Sequence, residues 1–353
     1  MPRCIGSFFA ALKLLMSLIN SLFIICNGQS FFKQVYTMLP YHLIYTSNEQ
    51  TQTFPCFFFS EINLDKTDEG VFTANFLTCI INVLFSVITC TGNLLVLLAI
   101  GKTRCLHTPS YVLLGCLAAS DLLVGLICQP LFVASKIAEL MNNFSLHCTL
   151  RMLLSTSSWI TSGASLATMV IVSVDRLLVL TLHLRYNSFV TVPRIFQTVL
   201  CVWICSITFA LLRFPLRNRW YFIMIATFLL GFLVLSISTY KIFHIVRRHQ
   251  RQIRDQNMAF RPAELNTVNV FKCRRSAVTV IYVYGLSMIL CIPHFVTIIV
   301  ATLNGYSTTI QIAYTYVYTV IYINSFLNPF VYCWRNREIR RAVKNIIRRE
   351  PYD

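Results

Sequence analysis

Charged residues are scarce in this chain. Of its 353 residues only 12% are charged and 13 are Asp or Glu, whereas 56% are hydrophobic and the mean hydropathy is +0.65. This composition indicates a polytopic membrane protein rather than a soluble one. The net charge of +17 does not indicate nucleic-acid binding, because the basic residues concentrate in the segments that connect and follow the apolar runs.

Motifs for catalysis and metal binding are also missing from the sequence. Its 14 cysteines form no CxxC pair and no Cys/His cluster, so a zinc site is not expected. HExxH, GxSxG and intramembrane His pairs are absent, and a membrane enzyme is therefore not expected either. No internal repeat is visible, which disfavours transporters built from duplicated halves. A transporter or channel stays an alternative function.

Apolar runs of about 20 residues predict an all-α membrane protein with a bundle of seven spans after residue 70. The predicted spans are Phe72–Ile100, Pro109–Val133, Leu150–Leu180, Ile195–Leu212, Tyr221–Ile245, Val278–Leu303 and Ile310–Tyr332. The connections are short except Val246–Ala277, which is rich in Arg, Gln and Asn and carries little apolar pattern.

An eighth apolar stretch, Cys4–Cys26, follows Arg3 and ends at the polar residues Asn27–Gln29. This order favours a cleaved signal peptide, and Lys13 within the stretch disfavours the alternative of a retained anchor. The predicted organisation is a signal peptide over residues 1–28, an extracellular tail over 29–70, the seven-span domain over 71–333 and a cytoplasmic segment over 334–353.

The placement of Lys and Arg predicts the orientation. Most of the 30 basic residues fall in the connections after the first, third and fifth spans and at the C-terminus, which the positive-inside rule assigns to the cytoplasm. The N-terminus is then extracellular, as expected for a plasma-membrane protein. Asn143, in the sequon Asn143-Phe144-Ser145, falls in a predicted outer loop as a glycosylation candidate. An apolar stripe within Arg335–Arg348 predicts a short amphipathic helix on the inner membrane surface.

Polar residues inside the spans are the strongest functional signal. Asp121 is costly in mid-membrane unless it is paired, hydrated or protonated. Pro329, in Asn328-Pro329-Phe330-Val331-Tyr332, frees a backbone carbonyl that lipid cannot satisfy. Both features predict a packed, hydrated and mobile region within the bundle.

Taken in order, these residues resemble the rhodopsin-like (class A) G-protein-coupled receptors from about Gly92 to Ala342. The motifs that carry the resemblance are Gly92-Asn93, Leu117-Ala118-Ala119-Ser120-Asp121, Asp175-Arg176-Leu177, Trp203, Tyr240, Pro293, Asn324 and Asn328-Pro329-Phe330-Val331-Tyr332. The resemblance implies a receptor that transmits an extracellular signal to heterotrimeric G proteins, with arrestin-like regulators and membrane lipids as further partners.

The resemblance also implies the roles of individual residues. A sodium ion would be held by Asp121, Ser165, Asn324 and Asn328; the alternative is a hydrogen-bonded cluster that only packs the bundle. Hard oxygen ligands suit such a cation. The implied activation switch consists of Asp175, Arg176, Tyr240, Pro293, Asn328, Pro329 and Tyr332. Arg176 would be held by Asp175 at rest and would move toward Tyr240 and Tyr332 when the sixth span opens.

Several positions depart from the family pattern. Leu177, Phe232 and Cys291 stand where a Tyr, a Pro and an aromatic residue are usual, and the short second outer loop has no cysteine. The melanocortin, cannabinoid, lysolipid and adenosine branch shares such features. A disulfide between Cys56 and Cys148 is the expected replacement for the usual one, with Cys128 as a competitor. Cys273 replaces an acid that often pairs with Arg176, which predicts raised basal activity.

The sequence excludes some classes of ligand but does not identify the ligand. The aspartate of aminergic receptors and the lysine of opsins are replaced here by Ser158 and Tyr322, so a biogenic amine and retinal are not expected. A peptide or a small molecule is expected instead. The candidate pocket residues are Ser158, Trp159, Ser162, Tyr318 and Tyr322. A basic outer mouth favours an anionic ligand, although the same side chains would also snorkel to the membrane interface. It consists of Lys136, Arg151, Arg213, Arg217 and Arg219.

Overall fold

The computed structural model describes residues 53–56, 59–63, 69–182, 186–216, 218–259, 264–304 and 307–348. The predicted signal peptide lies outside the described residues. Within the predicted tail, strands Thr53–Cys56 and Phe59–Asn63 pair in antiparallel register, with Thr53 opposite Asn63 and Cys56 opposite Phe59. The predicted tail therefore contains a short hairpin immediately before the first long helix.

Seven long helical segments follow, as predicted. We name them the first to seventh spans, and they are Glu69–Lys102, Pro109–Leu140, Phe144–Leu182, Val192–Leu211, Asn218–Ala259, Glu264–Asn304 and Thr308–Arg335. Single helical turns occur at Arg104–Leu106, Tyr186–Phe189 and Arg213–Leu216. We call the end of the bundle at which the first span begins the outer end, and the opposite one the inner end.

Six of these helices, within the described residues, are long and apolar enough to cross a membrane. The seventh span falls short of that hydropathy because polar side chains fill its core-facing side, among them Gln311, Thr315, Thr319 and Asn328. It packs against the first and sixth spans. Burying its polar side chains against protein instead of lipid makes this composition compatible with a membrane span.

The fifth and sixth helices extend beyond their predicted membrane spans. Within Val246–Ala277, the connection with little apolar pattern, the fifth span continues to Ala259 and the sixth begins at Glu264. Arg and Gln are good helix formers, so a polar segment can prolong a helix beyond the apolar run that identified it. The apolar pattern gave the extent of the expected membrane segment, not the extent of the helix.

A π-helical turn at Val124–Cys128 divides the second span and lies directly after the segment that carries Asp121. The carbonyl of Gly125 in this turn accepts a hydrogen bond from Ser86 Oγ at 2.7 Å. A Cβ on Gly125 would lie 2.8 Å from Cys90 Sγ, so glycine permits the close approach of the first and second spans. This close contact lies one helical turn beyond Asp121.

The predicted amphipathic helix is present as Arg337–Arg348. Ile339, Ala342 and Val343 are buried against the first and seventh spans. Tyr111 at the start of the second span donates a hydrogen bond to Glu338 Oε2 at 2.5 Å. The helix is therefore fixed to the bundle by apolar and polar contacts, and its basic residues lie on the other side of the apolar stripe.

Candidate functional site

Asp121 lies buried between the second and seventh spans, with 1% of its surface exposed. Its Oδ2 accepts a hydrogen bond from Asn328 Nδ2 at 2.8 Å, and the side chain of Ser325 is a further hydrogen-bond partner. Asn93 of the first span donates to the carbonyls of Thr89 and Ser325 at 2.9 and 3.2 Å. Asn328 and Ser325 thus pair the carboxylate with polar groups inside the bundle, and Asn93 adds a contact between the first and seventh spans beside them.

The four residues predicted to hold sodium are divided between two neighbouring places. Asp121 and Asn328 are bonded to each other, whereas Ser165 and Asn324 line a central cavity, and Asn324 Oδ1 accepts from Ser287 Oγ at 2.9 Å. Asn328 Oδ1 is buried and has no hydrogen-bond partner among the described residues. An oxygen-only donor set with one unsatisfied carbonyl oxygen is suited to a small hard cation.

The central cavity has a volume of about 100 Å³ and lies among the third, fifth, sixth and seventh spans. All the residues predicted for the ligand pocket line it, namely Ser158, Trp159, Ser162, Tyr318 and Tyr322. Ser158 Oγ and Tyr322 Oη lie 3.0 Å apart, and Trp159 packs edge-on against Trp220 with ring centroids 4.9 Å apart. The cavity thus combines aromatic walls with a few hydroxyl groups, as small-molecule sites do.

The sequence reasoning missed several residues of this cavity. Phe228, Phe295 and His294 line it, as do Phe232 and Cys291, which had been noted only as departures from a pattern. His294 Nδ1 is buried without a hydrogen-bond partner among the described residues. The helical spacing of His294, three residues after Cys291, would have placed both on one face of the sixth span.

A second, smaller cavity of about 50 Å³ is lined mostly by polar residues and lies nearer the outer end. In its wall, Lys136 Nζ lies 2.8 Å from Glu139 Oε2, and Gln311 Nε2 donates to Glu139 Oε1 at 2.6 Å. The sequence reasoning named Lys136 as part of a basic mouth and overlooked Glu139, three residues later. A Lys and a Glu three residues apart on one helix are typical of an ion pair.

At the inner end, Asp175 is bound more closely by two hydroxyl groups than by Arg176. Ser110 Oγ donates to Asp175 Oδ2 at 2.7 Å and Tyr186 Oη donates to Oδ1 at 2.6 Å, whereas Arg176 Nε lies 3.8 Å from Oδ2. Burial, together with the hydrogen bond to Asp175, raises the pKa of Tyr186 above its usual range. Neither Ser110 nor Tyr186 was singled out in the sequence.

The two tyrosines of the predicted switch differ in their exposure. Tyr332 is fully buried and its hydroxyl has no partner among the described residues, while Tyr240 is 69% exposed. Pro293 lies within the sixth span, where its carbonyl accepts from Thr297 Oγ1 at 2.8 Å. Pro329 faces the first span so closely that a Cβ on Gly92 would lie 3.2 Å from its ring. The implied movement of Arg176 toward the two tyrosines stays a prediction.

The remaining predicted sites lie at the outer end. Asn143 precedes the third span, and its Oδ1 accepts from the backbone N–H of Leu146 at 3.1 Å. Cys148 is disulfide-bonded and Cys128 is a free thiol. The side chain of Cys56 lies outside the described residues, and so do those of Arg217 and Cys273. The pairing of Cys56 with Cys148 stays a prediction.

Helices suited to spanning a membrane, a buried carboxylate–amide cluster and an aromatic cavity between the spans define a multi-pass membrane protein with the features of a receptor. Residues 92–219 and 217–332 match the 7 transmembrane receptor (rhodopsin family). The chain belongs to this family and is a G-protein-coupled receptor with a seven-transmembrane fold. This membership does not favour the transporter or channel alternative, and it implies coupling to a G protein.

Individual relatives are distant. Melanocortin receptor 3 of Rattus norvegicus is 25% identical over 271 residues, which cover 74% of this chain and 82% of that receptor. The histamine H2 receptor of Canis lupus familiaris is 26% identical over 287 residues, covering 75% and 77%. The same receptor of Cavia porcellus is 26% identical over 286 residues, covering 74% and 77%. Relatives of two different receptor types match equally well, so the likeness does not select a ligand.

Proposed function

We propose that this receptor lies in the plasma membrane with its N-terminus outside and binds its ligand in the central cavity. The observation that carries the proposal is the convergence of all five predicted pocket residues on one cavity whose floor adjoins the Asp121 cluster. Ser325 links the two because it lines the cavity and bonds to Asp121. A ligand there contacts spans that reach the inner end, where a G protein would bind.

Signal transmission follows from differential binding to two conformations. A ligand that prefers the conformation with an opened inner end shifts the population toward it, and a G protein that prefers the same conformation raises ligand affinity in return. The interior proline Pro293 is the proposed hinge, because it removes a helical hydrogen bond from the sixth span. The receptor thereby accelerates nucleotide exchange on the G protein without performing chemistry itself.

The weak contact between Asp175 and Arg176 supports a resting state with measurable basal activity. Arg176 Nε makes no hydrogen bond among the described residues, although only 8% of the residue's surface is exposed. We propose that this side chain, whose Nε lies 3.8 Å from Asp175 Oδ2, moves toward Tyr240 and Tyr332 in the active state. Sodium at Asp121 would favour the resting state. Arrestin-like regulators and anionic lipids are the proposed further partners of the basic inner surface.

Guanine-nucleotide exchange in membranes that contain the full chain tests this function. Without ligand, we expect exchange above that of membranes lacking the receptor, and a fall to the background level in Arg176→Ala. Arg104→Ala, a change of another basic residue at the inner end, should leave exchange unchanged. Equal exchange in the receptor and background membranes across a panel of G proteins would contradict basal coupling, and an unaltered rate in Arg176→Ala would contradict the proposed switch.

A further inference from the structure

Ser287 of the sixth span lies where three spans meet. Its Oγ donates a hydrogen bond to Asn324 Oδ1 of the seventh span at 2.9 Å and lies 3.7 Å from Met169 Sδ of the third. The same oxygen lies 2.9 Å from the carbonyl oxygen of Val283, which is one turn earlier in its own helix. Only 3% of the surface of Ser287 is exposed. Ser287 therefore connects the sixth span to its neighbours from inside the bundle.

The hydroxyl group of Ser287 has only one proton, so these acceptors compete for it. Asn324 Oδ1 and the carbonyl of Val283 lie at equal distances, whereas the thioether of Met169 is a weak acceptor. A bond to Asn324 joins two spans, and a bond to Val283 stays within one helix, as serine commonly forms. The hydroxyl therefore keeps an acceptor in its own helix if the sixth span moves away from the seventh.

Ser287 lies on the inner side of Pro293. The sixth span begins at Glu264 at the inner end, and Ser287 precedes Pro293 by six residues, or roughly 9 Å along the helix. The bond between Ser287 and Asn324 is thus located between the proposed hinge and the inner end. A movement of the inner half of the sixth span about Pro293 would lengthen this bond, because Asn324 belongs to the seventh span.

The bond between Ser287 and Asn324 also lies in the wall of the central cavity. Both residues line this cavity, and so do Met169 and Cys291, which lies one turn after Ser287. A molecule bound in the cavity would contact the bond directly. The bond is therefore located where a bound ligand can affect the position of the sixth span relative to the seventh.

We propose that Ser287 is a positioning residue that holds the sixth span in the resting conformation through its hydrogen bond to Asn324. This inference rests on the proposed function, in which the inner end opens by movement of the sixth span about Pro293. In the resting conformation the Ser287 proton bonds to Asn324. In the active conformation it bonds to the carbonyl of Val283 instead, so the inner half of the sixth span is no longer tied to the seventh.

Ligand-free nucleotide exchange in membranes that contain the full chain measures the contribution of this bond. N-methylglucamine replaces sodium throughout, because Asn324 is also a proposed sodium ligand. Ser287→Ala should raise exchange about threefold, the factor that corresponds to an average hydrogen bond between transmembrane helices. Asn324→Ala should raise it similarly. The double variant should show no further rise, because both changes remove the same bond.

Thr168→Val is the matched control for the loss of a buried hydroxyl group. Thr168 is buried in the third span, and its Oγ1 donates to the carbonyl of Ala164 within its own helix at 2.7 Å. The change should leave exchange at the level of the parent receptor. Thermal unfolding of each sample shows that the variants are folded.

A distance measurement tests the same role without a G protein. Spin labels on unnatural amino acids at Thr181, near the inner end of the third span, and at Tyr282, on the inner side of the sixth, report the separation of these spans in lipid nanodiscs. Ser287→Ala should increase the population with the longer distance, and Thr168→Val should not.

The two measurements separate this proposal from the receptor function on which it rests. Unchanged or reduced exchange together with an unchanged distance in folded Ser287→Ala would overturn the role of Ser287. A rise in the double variant equal to the product of the single rises, or the same rise in Thr168→Val, would overturn it as well. A longer distance in Ser287→Ala without exchange above background in any sample would support the role of Ser287 and contradict the proposed coupling.

Discussion

Asn328 Nδ2 donates a hydrogen bond to Asp121 Oδ2 across 2.8 Å and so joins the seventh span to the second. The bond uses the donor side of the Asn328 amide and leaves Oδ1 buried without a hydrogen-bond partner among the described residues. A buried carbonyl oxygen beside a carboxylate is unfavourable unless a donor or a cation satisfies it. This is the structural reason for proposing sodium at Asp121.

Sodium should therefore suppress basal exchange through Asp121. Replacing sodium by N-methylglucamine at constant ionic strength should raise ligand-free nucleotide exchange by about fivefold or more, in line with typical coupling free energies. Asp121→Asn should lose this response, because an amide cannot neutralise the cation. Thr319→Val alters a buried polar contact with Asn82 elsewhere in the seventh span and should keep the response. A full sodium response in Asp121→Asn would rule out this site.

The Asp175 carboxylate offers a test of the inner switch, since Ser110 and Arg176 approach the same oxygen atom. Ser110→Ala removes the closer partner at 2.7 Å, so Arg176 should move nearer and hold the resting state more firmly. Basal exchange should then fall about fivefold, which corresponds to roughly 1 kcal/mol and lies at the lower end of typical coupling free energies. Asp175→Asn removes the charge and should have the opposite effect. A rise in exchange for both variants would show that Ser110 stabilises the resting state instead.

The sequence predicts a site well where one residue is by itself unusual for a membrane span. Asp121, Asn328 and Pro293 are costly in a membrane, so each indicates a packed polar or kinked region, and the family resemblance groups Asn328 with Asp121, which the structure joins by a hydrogen bond. Serine and tyrosine side chains expected in the pocket do line one cavity. The choice of these pocket residues depended on the family resemblance, because hydroxyl residues are common along all the spans and do not by themselves indicate a pocket.

Some of the missed residues make contacts with a partner outside their own helix. Glu139 bonds to Gln311 of the seventh span and Tyr186 bonds to Asp175 of the third. Such contacts depend on the relative rotation and height of two helices. The hydropathy pattern of one helix gives information on neither. Similarly, the helical continuation to Ala259 follows from local propensity that an apolar pattern does not register.

The close contact at Gly125 predicts that a larger side chain there lowers the stability of the receptor, and Gly101 provides a matched control. A methyl group there would lie 2.8 Å from Cys90 Sγ and 3.3 Å from the backbone nitrogen of Cys90, whereas at Gly101 nothing lies within 4 Å. Gly125→Ala should destabilise the receptor by about 1–3 kcal/mol through overpacking. Gly101→Ala should be neutral or slightly stabilising. Thermal unfolding in detergent measures both, and equal midpoints would show that the two spans separate without cost.

The disulfide at Cys148 predicts a particular peptide pair. Proteolysis without reduction followed by mass spectrometry should yield Cys56 linked to Cys148, because both lie on the predicted oxidising side of the membrane. Cys148→Ser and Cys56→Ser should each lower stability by about 2–5 kcal/mol, as for other native disulfides. Cys128→Ser changes a free, buried thiol and should not affect the cross-link. A Cys148 peptide linked to a different cysteine would correct the pairing.

The ion pair between Lys136 and Glu139 should stabilise the outer end only while both partners are present. Their side chains are 12% and 6% exposed, so a single neutralisation leaves the other charge largely desolvated. Glu139→Gln should destabilise the receptor by about 3 kcal/mol, within the range for breaking a buried pair. Adding Lys136→Met should restore most of this loss, because the amide carbonyl introduced by Glu139→Gln can still accept from Gln311. Thermal unfolding of the single and double variants measures both effects. If the double variant loses the sum of the two single losses in stability, the two side chains contribute separately. Glu139 would then depend on Gln311 rather than on Lys136.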